Sequence, residues 1–457
     1  MLKSELDMTW LKRILIAIGL LLAIALAVPF FITFNDYIPR IEKAISTELK
    51  ESVSIKSIKF TSLPRPYLTV DGITVGTNED IILSKVVLIP DIFSLLQPSI
   101  VIKSIEVDSP IFTQKTFDKI SKLSKTNVDP ASQQPSQVRV ESIRFVNALI
   151  KFGKVNFGPF NARANLDSSG KPIEASITTL DGALNISIKP DQSSYLIDAS
   201  AKKWTLPIGP QLVLDELNIK GIATSKDVKF SQMSAKLYGG SASGTVTLSW
   251  LKGYKLSGNL DVKQVELQKI ASMLSSKTHI SGKLNAEPVF SASADSADQL
   301  MDTLHLETLF KVQNGVLYGV DIQKAAASLI KKGSTGGETR FDQLSAHLVM
   351  AHNGYRFTQL KIASGTFAVD GSVNISAKKD LSGRINAQVA AFGISTKVPL
   401  NIKGTVDSPL LYPTGATIAG AAIGTAIMGP GVGTSVGAKV GGWVDNIFGK
   451  KENKSPK

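Results

Sequence analysis

The stretch KLYGGSASGTVTLS, residues 236–249, sets two readings of this chain against each other. One is a serine on a tight glycine turn, as in a nucleophile loop. The other is a polar/apolar alternation that starts at a glycine pair, as in a sheet. The nucleophile elbow G-x-S-x-G is missed in both frames. Gly239-Gly240-Ser241-Ala242-Ser243 ends on serine, and Gly240-Ser241-Ala242-Ser243-Gly244 puts alanine at the nucleophile position. The alternation is unbroken. Tyr238, Gly240, Ala242, Gly244, Val246 and Leu248 share one parity, which a strand turns into one face. Gly239-Gly240 then reads as a two-residue hairpin turn. A single strand bent at its small residues is the alternative.

A second copy favours the sheet. Phe230-Ser231-Gln232-Met233 is matched by Phe357-Thr358-Gln359-Leu360, and Gly244-Thr245-Val246 by Gly371-Ser372-Val373, both 127 residues further on. Leu256-Ser257-Gly258 then meets Leu381-Ser382-Gly383, with two residues lost. The serines have no counterpart in the second copy, so a catalytic serine is not part of the unit. Its apolar parity does have one, in Phe367, Val369, Val373 and Ile375. With Val246, Leu248 and Trp250 from the first copy, these are the candidate lining residues of an apolar groove. Shorter echoes join Ser104-Ile105-Glu106-Val107 to Ser142-Ile143-Arg144-Phe145, and Val265-Glu266-Leu267-Gln268-Lys269 to Val320-Asp321-Ile322-Gln323-Lys324. The last two lead into helical runs at residues 270–274 and 325–330.

Upstream, residues 36–51 carry a helical stripe of Ile38, Ile41, Ala44, Ile45 and Leu49. Strands are expected over 53–60, 67–75, 81–88 and 99–107, with turns at Asp71-Gly72 and Asn78-Glu79 and a short helix over 92–96. Residues 121–137, SKLSKTNVDPASQQPSQ, read as a linker. The fold class is mostly β: an N-terminal transmembrane helix, an elongated antiparallel sheet or groove with a few short helices, and a glycine-rich C-terminal helical segment.

Composition narrows the function. The 457 residues hold 51 Lys and Arg against 38 Asp and Glu, a net charge of +13. The lysines are spread along the chain and aromatic residues are few. That argues against nucleic acid as a partner and suits contact with anionic lipid surfaces. There is no cysteine, and the four histidines show no zinc-ligand spacing. No catalytic set, cofactor motif or metal site emerges, so the expectation is a protein that is not an enzyme and takes no cofactor.

Residues 14–34, ILIAIGLLLAIALAVPFFITF, hold 21 uncharged positions after Lys12 and Arg13. That suffices to span about 30 Å of hydrocarbon, with the N-terminus on the cytoplasmic side. A cleaved signal peptide ending at Ala25-Leu26-Ala27 is the competing reading. The retained anchor is preferred because residues 28–34 stay apolar; Ile14, Leu21 and Phe31 would contact lipid.

These residues carry a resemblance. The anchor, the helix after it, residues 64–76 (PRPYLTVDGITVG) and residues 98–111 resemble the N-terminal region of AsmA-family proteins. Gly239-Gly240 with Gly244-Thr245-Val246, and residues 314–322 (NGVLYGVDI), resemble that family's C-terminal region. The resemblance implies an envelope protein anchored in the inner membrane by one span, with its bulk in the periplasm, acting in outer-membrane biogenesis. Larger relatives are proposed phospholipid bridges, similar to chorein-type lipid-transfer proteins. Membrane phospholipid and outer-membrane assembly proteins are the implied partners. The expected function is to shield or transfer acyl chains along the groove; the alternative is a structural or regulatory factor that binds assembly proteins through sheet edges.

The expected organisation is 1–34 cytoplasmic start and anchor, 35–120 chorein-like region, 121–137 linker, 138–408 repetitive sheet and 409–457 tail. Strands with one apolar face and few helices to cover it leave two architectures, an open groove or a sandwich whose apolar faces meet. The tail, from 414 onward, repeats glycine at helical spacing (Gly420, Gly424; Gly433, Gly437, Gly441) and is interrupted by Gly429-Pro430-Gly431. It reads as a membrane-inserting hairpin or as a flexible segment. Trp443 and Phe448 would sit at an interface, with Lys450 and Lys451 on anionic head groups.

Overall fold

Alternation along most of the chain makes strands, and nearly all of them pair with their neighbours in sequence. A computed structural model describes residues 34–62, 65–76, 81–97, 99–113, 116, 138–152, 155–207, 211–273, 275–327, 335–365, 367–391 and 394–414. The chain forms two units, Met1–Gln192 and Ser193–Lys457.

In the first unit a 3-10 turn, Phe34–Tyr37, leads into helix α1, Ile38–Leu49. Pro39 sits in its first turn, where the missing N–H would have had no helical partner. Lys50, at φ 54°, ends it. Strands β1 (Val53–Thr61), β2 (Tyr67–Val75), β3 (Ile81–Pro90) and β4 (Ile100–Asp108) pair antiparallel in that order. Ile38, Ile41 and Leu49 pack onto buried Val53, Ile55, Ile58 and Val70. Among the described strands β1 pairs with β2 alone, and α1 covers its other edge. The Val53 N–H donates to Ser46 Oγ at 3.0 Å, the Ile55 N–H to Glu42 Oε1 at 2.7 Å and the Ile58 N–H to Asn35 Oδ1 at 2.8 Å. Three edge donors that would invite another strand are thereby satisfied.

Asp71-Gly72 is not the turn expected from sequence; it lies inside β2. Gly72 has φ +63°, and a Cβ there would come within 2.9 Å of Lys56 Cβ. The parity of the core side chains switches at this point, from Ile73 and Val75 to Leu68 and Val70, yet all four face one core. A left-handed residue in mid-strand keeps the apolar side inward, and glycine adopts that conformation without strain. Asp91 caps the 3-10 turn Ile92–Leu96, accepting from the Phe93 N–H at 2.8 Å and pairing with Lys103 at 2.9 Å. The Lys103 hydrogen bond foremost, with the backbone donors, holds the Asp91 carboxyl below its usual range.

The short echo resolves into neighbours. Strands β5 (Ile111–Thr113), β6 (Val138–Val140) and β7 (Ser142–Phe152) add in parallel, with Ile100 opposite Val138, Ile105 opposite Ile143 and Ile111 opposite Leu149. The similar segments lie side by side in register, and Arg144 reaches Glu106 at 2.9 Å across the pair. This parallel join departs from the antiparallel sheet expected. Strands β8 (Val155–Leu166), β9 (Pro172–Thr179) and β10 (Leu184–Asp191) return to antiparallel order. The strands after residues 121–137 thus belong with β1 to β5; the stretch read as a linker lies outside the described residues.

The second unit is an antiparallel meander. Its first five strands are β11 (Ser194–Thr205), β12 (Val213–Ala223), β13 (Asp227–Leu237), β14 (Gly240–Ser249) and β15 (Tyr254–Glu266). Three short strands, β16 (His279–Ile280), β17 (Lys283–Ala286) and β18 (Val289–Ala294), follow helix α2 (Gln268–Ala271). They lie beside β19 (His305–Tyr318), and β17 and β18 also pair with β15. Helix α3 (Ile322–Ala327) precedes β20 (Glu338–Ala351), β21 (Gly354–Ser364), β22 (Phe367–Ile375), β23 (Leu381–Ala391), β24 (Ile394–Thr405) and β25 (Ser408–Pro413).

The opening stretch is a hairpin, but its turn is Tyr238-Gly239 rather than Gly239-Gly240. Leu237 pairs with Gly240, and the two loop residues have φ 45° and 74°. Positive φ at both positions is the type I′ hairpin turn that matches strand twist. Gly240 is already strand, where a Cβ would lie 2.5 Å from the Val265 nitrogen. The second copy repeats the loop length, with Ser364 opposite Phe367.

Among the described residues no helix is long and apolar enough to cross a membrane. Residues 1–33 and 415–457 lie outside those described, and with them the candidate membrane contacts Ile14, Leu21, Phe31, Trp443, Phe448, Lys450 and Lys451.

Two outcomes follow for the first unit. Glu42→Ala orphans the Ile55 N–H and is expected to lower stability by about 1–3 kcal/mol in urea titrations followed by circular dichroism. A lowered Asp91 pKa means stability that is present above the ordinary carboxylate range and lost as pH falls through the lowered value. Asp91→Asn should therefore flatten the acid limb of the stability profile below about pH 4, read by thermal melts.

Candidate functional site

The apolar face of the second unit is built row by row. In β15, Leu256, Leu260 and Val262 point inward while Lys255, Asn259 and Lys263 are exposed. Directly opposed residues share a face, so the register extends this division across the sheet. One row runs Thr308, Leu348, Phe357, Val373, Gly383, Ile402, Leu411, one residue from each of β19 to β25. In a flat sheet its two ends would lie about 29 Å apart, at about 4.8 Å per strand. Here Thr308 and Leu411 border the same cavity of about 510 Å³. The sheet therefore curls until its apolar face meets itself.

The repeat accounts for part of that curl. The register slips between Phe230 and Met233 in the first copy and between Phe357 and Leu360 in the second, at equivalent positions. An extra residue on one strand bends it and strengthens its twist. Opposite each slip stands a glycine, Gly244 and Gly371, where a Cβ would collide with the carbonyl oxygen of Asn259 or Arg384 on the next strand. Gly258 and Gly383 meet the carbonyls of Thr245 and Ser372 in the same way. These glycines let β14 and β15, and β22 and β23, approach closely at a bend.

The cavity has a closed and an open side. At one end α3 buries Ile322, Ala325 and Ala326 against a core that includes Val312, Leu344, Ile385 and Leu400. Thr339 Oγ1 pins the start of α3, donating to the Val320 carbonyl at 2.8 Å and accepting from the Ile322 N–H at 3.0 Å. Toward β15 and β18 the inner face stays only partly covered, with Val246, Leu248 and Phe290 half-buried. Around the cavity, none of the described lining residues is Asp, Glu, Lys or Arg. Charge is kept to the outer face, where Glu216 and Lys236 pair at 2.8 Å and Ser241 and Ser243 are exposed.

The seven groove candidates fall in four places. Val373 and Ile375 line the cavity. Phe367 and Val369, 6% and 3% exposed, are packed into the core beyond its end rather than bordering open space. Val246 and Leu248 lie on the same inner face through their pairing with Gly258 and Leu256. Trp250 stands at the end of β14, 38% exposed, with its indole N–H donating to the Ser225 carbonyl at 3.0 Å. Sequence reasoning missed the walls supplied by β19 and β20, such as Leu306, Phe310 and Leu348, although their alternation was there to read. It also missed Thr278 and His279 on the segment entering β16. Of the other histidines, His347 bonds Glu307 at 2.7 Å, and His305 and His352 are exposed. Among the described residues no cluster of His, Asp and Glu forms a metal site.

No protein family, curated protein or solved structure matches the chain.

The paired glycines make a direct test. Gly371→Ala should destabilise the protein by about 1–3 kcal/mol, the range for forcing extra volume into a packed site. Gly365→Ala, where a Cβ meets nothing within 4 Å, should leave stability nearly unchanged. Equal effects in denaturant titrations would contradict the close-approach account.

Proposed function

We propose that the second unit holds lipid acyl chains in its apolar trough, as part of an AsmA-like protein of the bacterial envelope. The observation that carries this reading is a cavity of about 510 Å³ whose described lining contains no Asp, Glu, Lys or Arg. Its volume falls within the range of about 300–1,000 Å³ typical of small-molecule sites. An apolar wall of this kind gives an acyl chain what water denies it, about 0.8 kcal/mol for each methylene buried. A site without charge suits chains better than head groups, because an ionised group inside it would go unpaired. The role proposed is binding and shielding rather than catalysis.

The wider context rests on the sequence. The apolar run at residues 14–34 supports an inner-membrane anchor with the bulk of the chain in the periplasm. The order of the AsmA-like motifs supports a part in outer-membrane biogenesis, with phospholipid as the cargo. A net charge of +13 favours approach to anionic lipid surfaces.

A photo-crosslinking amino acid at Ile375, on the cavity wall, is expected to capture phospholipid in cells. The same probe at Asn374, the exposed next residue on β22, is expected to capture little. Mass spectrometry of the adducts reads the difference. Equal labelling at the two sites, or none at Ile375, would argue against an acyl-chain trough.

A further inference from the structure

In the first unit the 3-10 turn Ile92–Leu96 turns apolar side chains to solvent: Phe93 is 79% exposed and Ile92 53%. A single exposed apolar residue needs no explanation, but a pair held rigidly outward does. The turn is fastened to β4 on both sides of the pair. The Asp91 N–H donates to the Val101 carbonyl at 2.8 Å. Buried Ser94 Oγ accepts from the Val101 N–H at 2.8 Å and donates to the Asp91 carbonyl at 2.8 Å. Ile92 and Phe93 lie between these two fixed points. Ile100 and Val138, opposed at the starts of β4 and β6, are exposed as well.

The register shows what else lies at this end of the sheet. Thr61, the last residue of β1, faces Tyr67, the first of β2; Leu68 faces Leu88, and Pro90 faces Ile102 near the start of β4. The chain enters at the same end. Asn35 bonds Ile58, close to the end of β1, whereas Ser46 bonds Val53 at its start. The uncharged run of residues 14–34 leads directly into the turn Phe34–Tyr37. Tyr37 is exposed there, and so is Arg65 in the connection between β1 and β2. Of the acids, Asp91 and Glu141 are paired with Lys103 and Arg139, and Asp36 is exposed. The outward apolar turn and the exit of the apolar run thus share one end of the first unit.

We infer that this end of the first unit rests on the bilayer that residues 14–34 enter, with Ile92 and Phe93 inserted at its interface. This rests on the reading of residues 14–34 as a retained anchor. A single span ties the chain to a membrane but leaves the domain beyond it free to swing. The turn between β3 and β4 lies two to three strands from the edge that α1 covers, about 10–15 Å along the sheet. A second apolar contact at that distance removes the freedom and sets β1 to β4 running away from the surface. The residue types fit the place. Aromatic rings such as Tyr37 collect at the head-group level, and an exposed arginine such as Arg65 is drawn to anionic lipid. Two apolar side chains that cannot fold inward leave water by entering the interface instead.

The chain has no cysteine, so one introduced cysteine carries a label at one place. The test reconstitutes the full chain in vesicles of phosphatidylethanolamine and phosphatidylglycerol, with the fluorophore NBD attached at Phe93→Cys or at Ile82→Cys. Ile82 is the control: an isoleucine 54% exposed at the other end of β3, about 26 Å from Pro90. Emission from position 93 is expected to be blue-shifted relative to position 82. It should also be quenched several-fold more by lipid carrying a doxyl group near its head, since an interfacial apolar face lies about 5–10 Å into the boundary. Quenching at 93 no greater than at 82 would overturn the contact. So would a blue shift at 93 without quenching, because protein, such as a second copy of the chain, would then cover the turn. Failure of the full chain to float with the vesicles would instead sink the anchor reading, and this contact with it.

Discussion

A sheet with one apolar face must cover that face, and the second unit depends on how it does so. Two short helices, α2 and α3, are all the α-helix described there. They are too small to shield the inner surface of a meander that runs from β11 to β25. The remaining solution is for the sheet to curl onto itself, so that rows from distant strands meet. Bulges at equivalent positions of the repeat and glycines where strands crowd make the bend. The closure is complete where α3 fills the space and incomplete beside it. The cavity is what incomplete closure leaves.

The first unit solves a different problem with a similar economy of parts. Its edge strand β1 is covered by α1, whose Ser46 and Glu42, with Asn35 just before the helix, occupy backbone donors that would otherwise face solvent or another strand. Its similar segments do not stack at a distance but pair as parallel neighbours in register. Parallel pairing needs a connection of about a dozen residues or more, and the chain between β5 and β6 supplies that length.

Local pattern made much of this legible. The alternation marked β1 to β4 to within a few residues, and the 127-residue offset marked a repeat whose register slips and glycines do correspond. Single-residue conformation was less legible. In sequence the Gly239-Gly240 pair reads as a turn, whereas Tyr238 takes a positive φ and Gly240 is claimed by a close backbone approach. Asp71-Gly72 looked like a turn because glycine after aspartate so often is one; the need was to switch parity inside a strand. Curvature was illegible, because it sums small bends over many strands. That is why Val373 and Ile375 border the cavity while Phe367 and Val369, of the same parity on the same strand, are sealed in the core. Thr278 and His279 lie outside any alternating run, so periodicity gave them no weight.

An acyl-chain trough should carry chains in the protein as the cell makes it. The most direct measurement is organic extraction of the purified full chain, with quantitative mass spectrometry of what is released. A protein whose cavity shields acyl chains is predicted to retain lipid at a fixed molar ratio through detergent exchange. Val373→Glu, which puts a charge on the cavity wall, is predicted to lose that lipid while the fold persists. Protein that is free of lipid, or a Val373→Glu variant that retains as much as wild type, would contradict it.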